Sequence, residues 1–206
     1  MAVLLIATIA VSGCSATSAG GWSQVPVPMG WSESTPIDSL SDLFDISEVV
    51  VHGTIEQAFV RDTGVWSEAA GPGDTAIFSE DIVLVVSPVG GGEQVEVRFE
   101  HLYDNSEGGQ PVDPAELEFP EGPYVFSLRE DAQHGDVVEG GPTPYRCATL
   151  STLCVLEIAA GDLVTAPRED LPAAPASAEL GEDATGVTVD GIGAVAREAG
   201  ADPLGF

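Results

Sequence analysis

Two of the three cysteines have a spacing that suits a disulfide bond. Cys147 and Cys154 enclose the six residues 148–153 in a stretch rich in strand-forming residues. If this stretch folds as a β-hairpin, the two thiols face each other across neighbouring strands and can be oxidised. A two-thiolate zinc site is the alternative, but zinc needs two further ligands, and the sequence has no CxxC motif and no closely paired histidines. We therefore predict a disulfide, which is typical of exported proteins.

The third cysteine, Cys14, directly follows a segment typical of export signals. Residues 2–11 form an uncharged apolar run, shorter than the roughly 20 residues of a transmembrane helix but suited to the apolar part of a signal peptide. The run ends in the sequence VSGC, followed by small polar residues. This order resembles the lipobox of bacterial lipoproteins. The resemblance implies that a diacylglycerol is attached to the Cys14 thiol and that residues 1–13 are removed as a signal peptide.

The predicted lipid defines a first partner, the membrane. Two or three acyl chains hold a protein durably on a bilayer, whereas one chain alone gives reversible binding. We therefore predict a lipid-anchored protein on the extracytoplasmic face of the cell membrane. The alternative is a buried N-terminal strand in which the VSGC sequence occurs by chance.

The histidines give little indication of catalysis. His52 lies in a β-branched run, and if Val49 and Val51 face inward, its side chain faces outward and is exposed. His101 and His134 fall in segments predicted to be turns. The sequence has no GxSxG, SxxK or HExxH motif, which would mark known hydrolytic sites. We predict a non-enzymatic protein without a cofactor, with an unrecognised hydrolytic site around His52 or His101 as an alternative.

The charge of the chain excludes several classes of partner. It has 34 acidic residues, six arginines and no lysine, for a formal net charge of -28. Such a surface repels the phosphates of nucleic acids, so we predict no nucleic-acid partner. It also argues against docking on anionic lipid through a basic patch. The expected partner of the folded domain is an envelope protein or a small ligand.

One acidic segment offers oxygen atoms of the kind that bind calcium. Calcium takes six to eight oxygen ligands from a turn that brings them together. The candidate ligands are Glu100, Asp104, Asn105 and Glu107. The segment does not match the D-x-[DN]-x-[DN]-G pattern of calcium loops, so we predict no metal site. A calcium- or cation-binding module is kept as an alternative.

The middle of the chain, residues 35–166, is predicted to be one mainly β domain. Helical spacing of apolar residues predicts a short helix over 36–45, capped by Thr35. Strand-like segments follow at 48–55, continued over 58–64 after a bend near Glu56, and at 76–86, 94–99, 122–128, 145–150 and 153–158. Loops are predicted at 64–75 and 100–118. The last two strands form the hairpin with the cysteines. Without βαβ alternation, these five or six strands predict an all-β fold closed into a small barrel.

The order of these elements resembles a group of secreted bacterial domains of OB or netrin type. The pattern of that group is a helix containing Ser-Asp, a strand with two valines and a glycine, a long Val-rich strand, a lysine-glycine turn and a final strand with a tyrosine. This chain has Val89–Gly92 where the lysine-glycine turn is expected. The matching segments are Leu40–Phe44, Ser47–Ile55, Ile77–Val86 and Glu121–Leu128. The resemblance covers about residues 47–160 and implies an OB/netrin-like barrel, without implying an activity.

The two flanking segments are predicted to be peripheral. Residues 14–34 are rich in Gly, Ser and Pro, which is typical of a flexible stalk. Trp22 within it is expected either in the lipid interface or packed back on the domain. Residues 167–206 begin as a Pro/Ala-rich acidic segment. They end in a predicted short helix at 191–200, which is expected to cover a barrel opening.

Overall fold

The computed structural model describes residues 20–25, 37–67, 75–104, 109–131, 141–148, 154–159, 163–164, 183–184 and 186–206. The described part is mainly β, as the sequence predicts, with one short helix near each end. The strands are β1 (Val49–Ser67), β2 (Ile77–Pro88), β3 (Val95–Asp104), β4 (Pro123–Glu130), β5 (Thr143–Cys147), β6 (Val155–Ala159), β7 (Leu163–Val164) and β8 (Asp202–Leu204). The helices are α1 (Leu40–Asp45) and α2 (Val189–Ala199), with 3-10 turns at Gly20–Gln24 and Pro114–Glu116.

The strands form a mixed sheet in which five strands are paired in a closed circuit. β1 pairs with β2 and β2 with β3, both antiparallel. β3 pairs with β5 in parallel, and β5 pairs with β4 antiparallel. β4 then pairs with β1, which returns the circuit to its first strand. The remaining strands extend it: β6 pairs with β4, β7 with β6, and β8 in parallel with β1.

β1 pairs with two strands through its two edges, with β4 over residues 49–54 and with β2 from Gly53 onward. Gly53 lies between both neighbours of β1, opposite Pro88 of β2 and opposite Tyr124 of β4. A Cβ atom on Gly53 would lie 2.6 Å from the Val86 side chain, so only glycine allows this close approach. The register with β2 shifts around Glu56, where the sequence predicts a bend. β1 also extends to Ser67, so the loop predicted to begin at residue 64 is shorter than expected.

One apolar cluster fills the inner face of the circuit, which we define as the face carrying Val51, Leu84, Val97 and Phe126. Trp22 is fully buried in this cluster. Its ring meets three other aromatic rings edge-on, those of Phe99, Phe119 and Tyr124. The described residues 20–25 therefore pack on the domain, which is one of the two alternatives for Trp22. The rest of the predicted stalk lies outside the described residues.

A second apolar cluster lies on the opposite, outer face of β1, β4 and β6. Val50, Val125 and Leu156 project there and are covered by the apolar sides of α1 and α2. Helix α1 begins after an N-cap at Ser39, whose hydroxyl accepts from the Asp42 N–H. It is therefore shorter than the predicted helix over 36–45. Helix α2 covers a sheet face together with α1 and not a barrel opening, which corrects that expectation.

The cysteine pair is disulfide-bonded, but the predicted hairpin around it is wrong. Cys147 and Cys154 have Cα atoms 5.5 Å apart and are bridged. β5 and β6 do not pair with each other, because both lie along the same edge of β4. Cys147 is opposite Leu128, and Val155 is opposite Phe126. The disulfide therefore links β5 and β6, which pair with β4 one after the other along its length.

Candidate functional site

Three arginines lie side by side on the outer face of β3, β5 and β4. Arg98 is in register with Arg146, and Arg146 is in register with Arg129. Val97 and Leu128 belong to the inner cluster, so the arginines next to them project outward. Neighbouring strands lie about 4.8 Å apart, so the three side chains are direct neighbours. We call Arg98, Arg146 and Arg129 the arginine row.

The first member of the row is neutralised by carboxylates. Arg98 is buried, with 4% of its side chain exposed. Its Nη2 lies 3.0 Å from Glu96 Oε2, and its Nη1 lies 3.6 Å from Asp131 Oδ2. Glu96 also binds Arg61 of β1, with Nη2 to Oε1 at 3.3 Å. Two carboxylates therefore hold Arg98 in a fixed position.

Within the described part of the chain, the other two members of the row form no ion pair. Arg129 and Arg146 are half-buried, and the Nε atom of each is buried without a hydrogen-bond partner among the described residues. An unsatisfied buried donor costs about 1–3 kcal/mol, and like charges directly opposite each other on paired strands are also destabilising. The row therefore presents two formal positive charges with unused donors, which is an arrangement suited to binding an anion.

The row contrasts with the composition of the chain. Four of its six arginines, Arg61, Arg98, Arg129 and Arg146, lie in the row or in its ion-pair network, although the chain carries 34 acidic residues. The sequence alone does not predict this cluster. Alternation marks each of them as an outward position of a strand, but their proximity depends on the pairing of β3 with β5, which no local pattern predicts.

A histidine–carboxylate pair lies at the far end of the inner face. His101 Nδ1 is 2.9 Å from Glu80 Oε1, and the same oxygen accepts from the Val112 N–H at 2.6 Å. The Tyr103 ring stacks on the imidazole, with centroids 5.7 Å apart. His101 therefore lies within β3 and not in the predicted turn. In the described part of the chain, no hydroxyl or thiol hydrogen-bonds this histidine, so the nucleophile of a hydrolytic triad is not assembled there.

The other histidine of β1 is buried, which corrects the prediction that it is exposed. His52 points to the outer face as expected, but only 9% of its surface is accessible. Its Nδ1 lies 2.8 Å from the Gly205 carbonyl oxygen, and the Phe206 ring lies beside it at 5.5 Å between centroids. The last residues of the chain therefore cover His52. His134 lies outside the described residues.

The candidate calcium ligands are not brought together where the structure describes them. Glu100 and Asp104 both lie in β3, four residues apart, whereas a turn was predicted from residue 100 onward. Four residues of extended strand span about 13 Å, too far for two carboxylates to share one cation directly. Asn105 and Glu107 lie outside the described residues. Within the described ranges, no group of three or more metal-ligating side chains could hold a metal ion.

The segment that carries the predicted lipid site, with Cys14, lies outside the described residues. In the ranges that the structure describes, no helix is long and apolar enough to cross a membrane. Comparison with protein-family models, with curated proteins and with solved structures finds no match to this chain. The assignment of function therefore depends on the residues themselves.

Proposed function

We propose that this chain is a lipid-anchored envelope lipoprotein whose β domain is a non-enzymatic binding module on the extracytoplasmic face of the membrane. The observation that carries the proposal is the VSGC sequence ending at Cys14, directly after an apolar run of signal-peptide length. The Cys147–Cys154 disulfide supports it, because such bonds persist in oxidising compartments and are rare in the cytosol.

The anchor would hold the folded domain close to the membrane. The described fold begins at Gly20, and Trp22 is already part of the apolar core. Cys14 and Gly20 are six positions apart, and an extended chain spans at most about 3.6 Å per residue. The domain would therefore lie within about 20 Å of the lipid, with less freedom than a stalk over residues 14–34 would allow.

The proposal includes an OB/netrin-like barrel as the architecture of the domain. The circuit β1–β2–β3–β5–β4–β1, with β3 and β5 parallel, supports it, because closure of a sheet removes exposed strand edges. Fold alone does not define a function, so a binding role needs a site. The arginine row is that site, because Arg129 and Arg146 hold donors that no described residue uses.

The anchor is tested by fractionating cells that produce the wild-type chain or the Cys14→Ala variant. We expect the wild type in the membrane fraction and the variant in the soluble fraction, since the variant has no thiol to acylate. Ser15→Ala is the matched control and should remain in the membrane fraction. If Cys14→Ala stays with the membranes to the same extent as the wild type, the proposed anchor is wrong.

A further inference from the structure

We propose that the arginine row binds the phosphate group of a small soluble phosphomonoester, with Arg129 and Arg146 as the residues that contact it. The inference rests on the binding part of the proposed function and names the ligand class of that site. It does not depend on the lipid anchor.

The chemistry of the site favours a doubly charged oxyanion. Arg129 and Arg146 lie opposite each other on β4 and β5, so both planar guanidinium groups face the same side of the sheet. Guanidinium groups match the geometry of phosphate oxygens with paired N–H donors. A phosphomonoester carries about 1.5 to 2 negative charges at neutral pH, which balances the two formal charges of this pair. A single carboxylate would balance only half of that charge.

Two carboxylates beside the row, both in the described part of the chain, are already engaged by its first member. Glu96 and Asp131 both bind Arg98, and Glu96 also binds Arg61. Arg98, at one end of the row, is therefore held in place by carboxylates. At the other end, a bound anion would supply the negative charge that Arg146 and Arg129 lack among the described residues. This division explains why the buried Nε atoms of Arg129 and Arg146 lack partners while the Nε of Arg98 lies 3.3 Å from Glu96.

The net charge of the chain favours binding of a small ligand over binding of an extended polyanion. A formal charge of -28 repels nucleic acids and anionic bilayers over their whole length. A single phosphate that reaches the row contacts the arginines directly, whereas charges beyond about 8 Å are largely screened at physiological ionic strength. A soluble phosphomonoester is therefore favoured over the headgroups of an anionic membrane.

The first test is calorimetric titration of the full chain with inorganic phosphate and with glycerol phosphate. We expect both to bind, and we expect Arg129→Gln and Arg146→Gln each to weaken binding about tenfold or more, because each variant removes charged hydrogen bonds. Arg197→Gln, at an exposed position in the last turn of α2, is the control with the same change of charge and should alter the affinity less than about twofold. Equal losses in all three variants would show a general charge effect and overturn the site.

The second test distinguishes a soluble ligand from a lipid headgroup. The full-length Cys14→Ala chain is mixed with phosphatidylcholine vesicles that contain or lack phosphatidic acid, whose headgroup is also a phosphomonoester. We expect glycerol phosphate to bind and neither kind of vesicle to do so. Binding to phosphatidic acid vesicles without binding to glycerol phosphate would overturn the proposal of a soluble ligand. No binding of any phosphate to a chain with native circular dichroism would overturn the inference, and the fractionation result for Cys14 would be unaffected.

Discussion

Arg146 lies directly opposite Arg129 on the neighbouring strand, so two like charges are in register on one face of the sheet. Paired positions of this kind are destabilising when the charges have the same sign. Sites that bind ligands commonly lower the stability of the free protein, because groups aimed at the ligand are poorly satisfied without it. The relationship between these two arginines therefore gives a prediction about stability as well as about binding.

We predict that Arg146→Gln raises the free energy of unfolding of the phosphate-free protein by about 0.5 kcal/mol, because it removes the repulsion with Arg129. Urea denaturation monitored by circular dichroism measures this change. Arg197→Gln is the control and should give no comparable gain. A clear loss of stability in Arg146→Gln would mean that Arg146 forms a stabilising interaction in the phosphate-free protein, contrary to this prediction.

We predict the opposite effect on the free energy of unfolding for substitution of the neighbouring arginine, Arg98. Arg98→Gln should lower the free energy of unfolding by about 3 kcal/mol, because it removes the buried guanidinium that both Glu96 and Asp131 contact and leaves Glu96 only its contact with Arg61. The same denaturation experiment measures it. If Arg98→Gln and Arg146→Gln change stability in the same direction, the division of the row into a paired and an unpaired end is wrong.

The disulfide should make a measurable contribution to stability. Cys147 and Cys154 are seven positions apart, and closing so short a loop stabilises a protein by roughly 2.5 kcal/mol in the chain-entropy model. The double variant Cys147→Ser, Cys154→Ser should lose about that amount in thermal or urea unfolding. Reduction of the wild type with a thiol reagent should give the same loss. An unchanged midpoint in both experiments would contradict a role for the bridge in fixing β5 and β6 along β4.

Two tyrosines should make the protein sensitive to alkaline pH. Burial raises the pKa of Tyr103 and of Tyr145 above 10.0, and carboxylates add to the effect, chiefly Glu80 for Tyr103 and Glu130 for Tyr145. The folded state therefore holds these protons more tightly than the unfolded state. The contribution of these two tyrosines to the free energy of unfolding is fully present below about pH 10. It is lost as the pH rises through their higher pKa values in the folded state.

The alkaline prediction is checked by urea unfolding at several pH values between about 9 and 11, together with the ultraviolet absorbance of tyrosinate. We expect the stability of the wild type to fall over this range and that of Tyr103→Phe or Tyr145→Phe to fall less steeply. Identical slopes in the wild type and both variants would show that neither phenol is perturbed by the fold.

Local patterns predicted most of the strands and little of their arrangement. The alternation of Val95, Val97 and Phe99 places β3 correctly, and the apolar spacing of Ile192 and Ala196 predicts helix α2. The strand β3 nevertheless continues to Asp104, because its pairing with β2 overrides a polar sequence. Intrinsic turn preference is weaker than such pairing in deciding where a strand ends.

The candidate site depends on contacts that are distant in the sequence. The spacing of Cys147 and Cys154 is local, so their bridge was predictable, but the hairpin expected around them was not formed, because β4 offers one edge to both strands. The arginine row needs the parallel pairing of Arg98 with Arg146. Periodicity gives the face of a residue on its own strand and not the identity of its neighbour on the next strand, so the sequence does not predict the row.

The central claim is that a lipid on Cys14 anchors a binding domain outside the cell, and mass spectrometry of the N-terminal peptide tests it most directly. The account predicts that the purified protein begins at Cys14 and that this residue carries a diacylglycerol on its sulfur. A protein that retains residues 1–13 and has an unmodified thiol at Cys14 would contradict it.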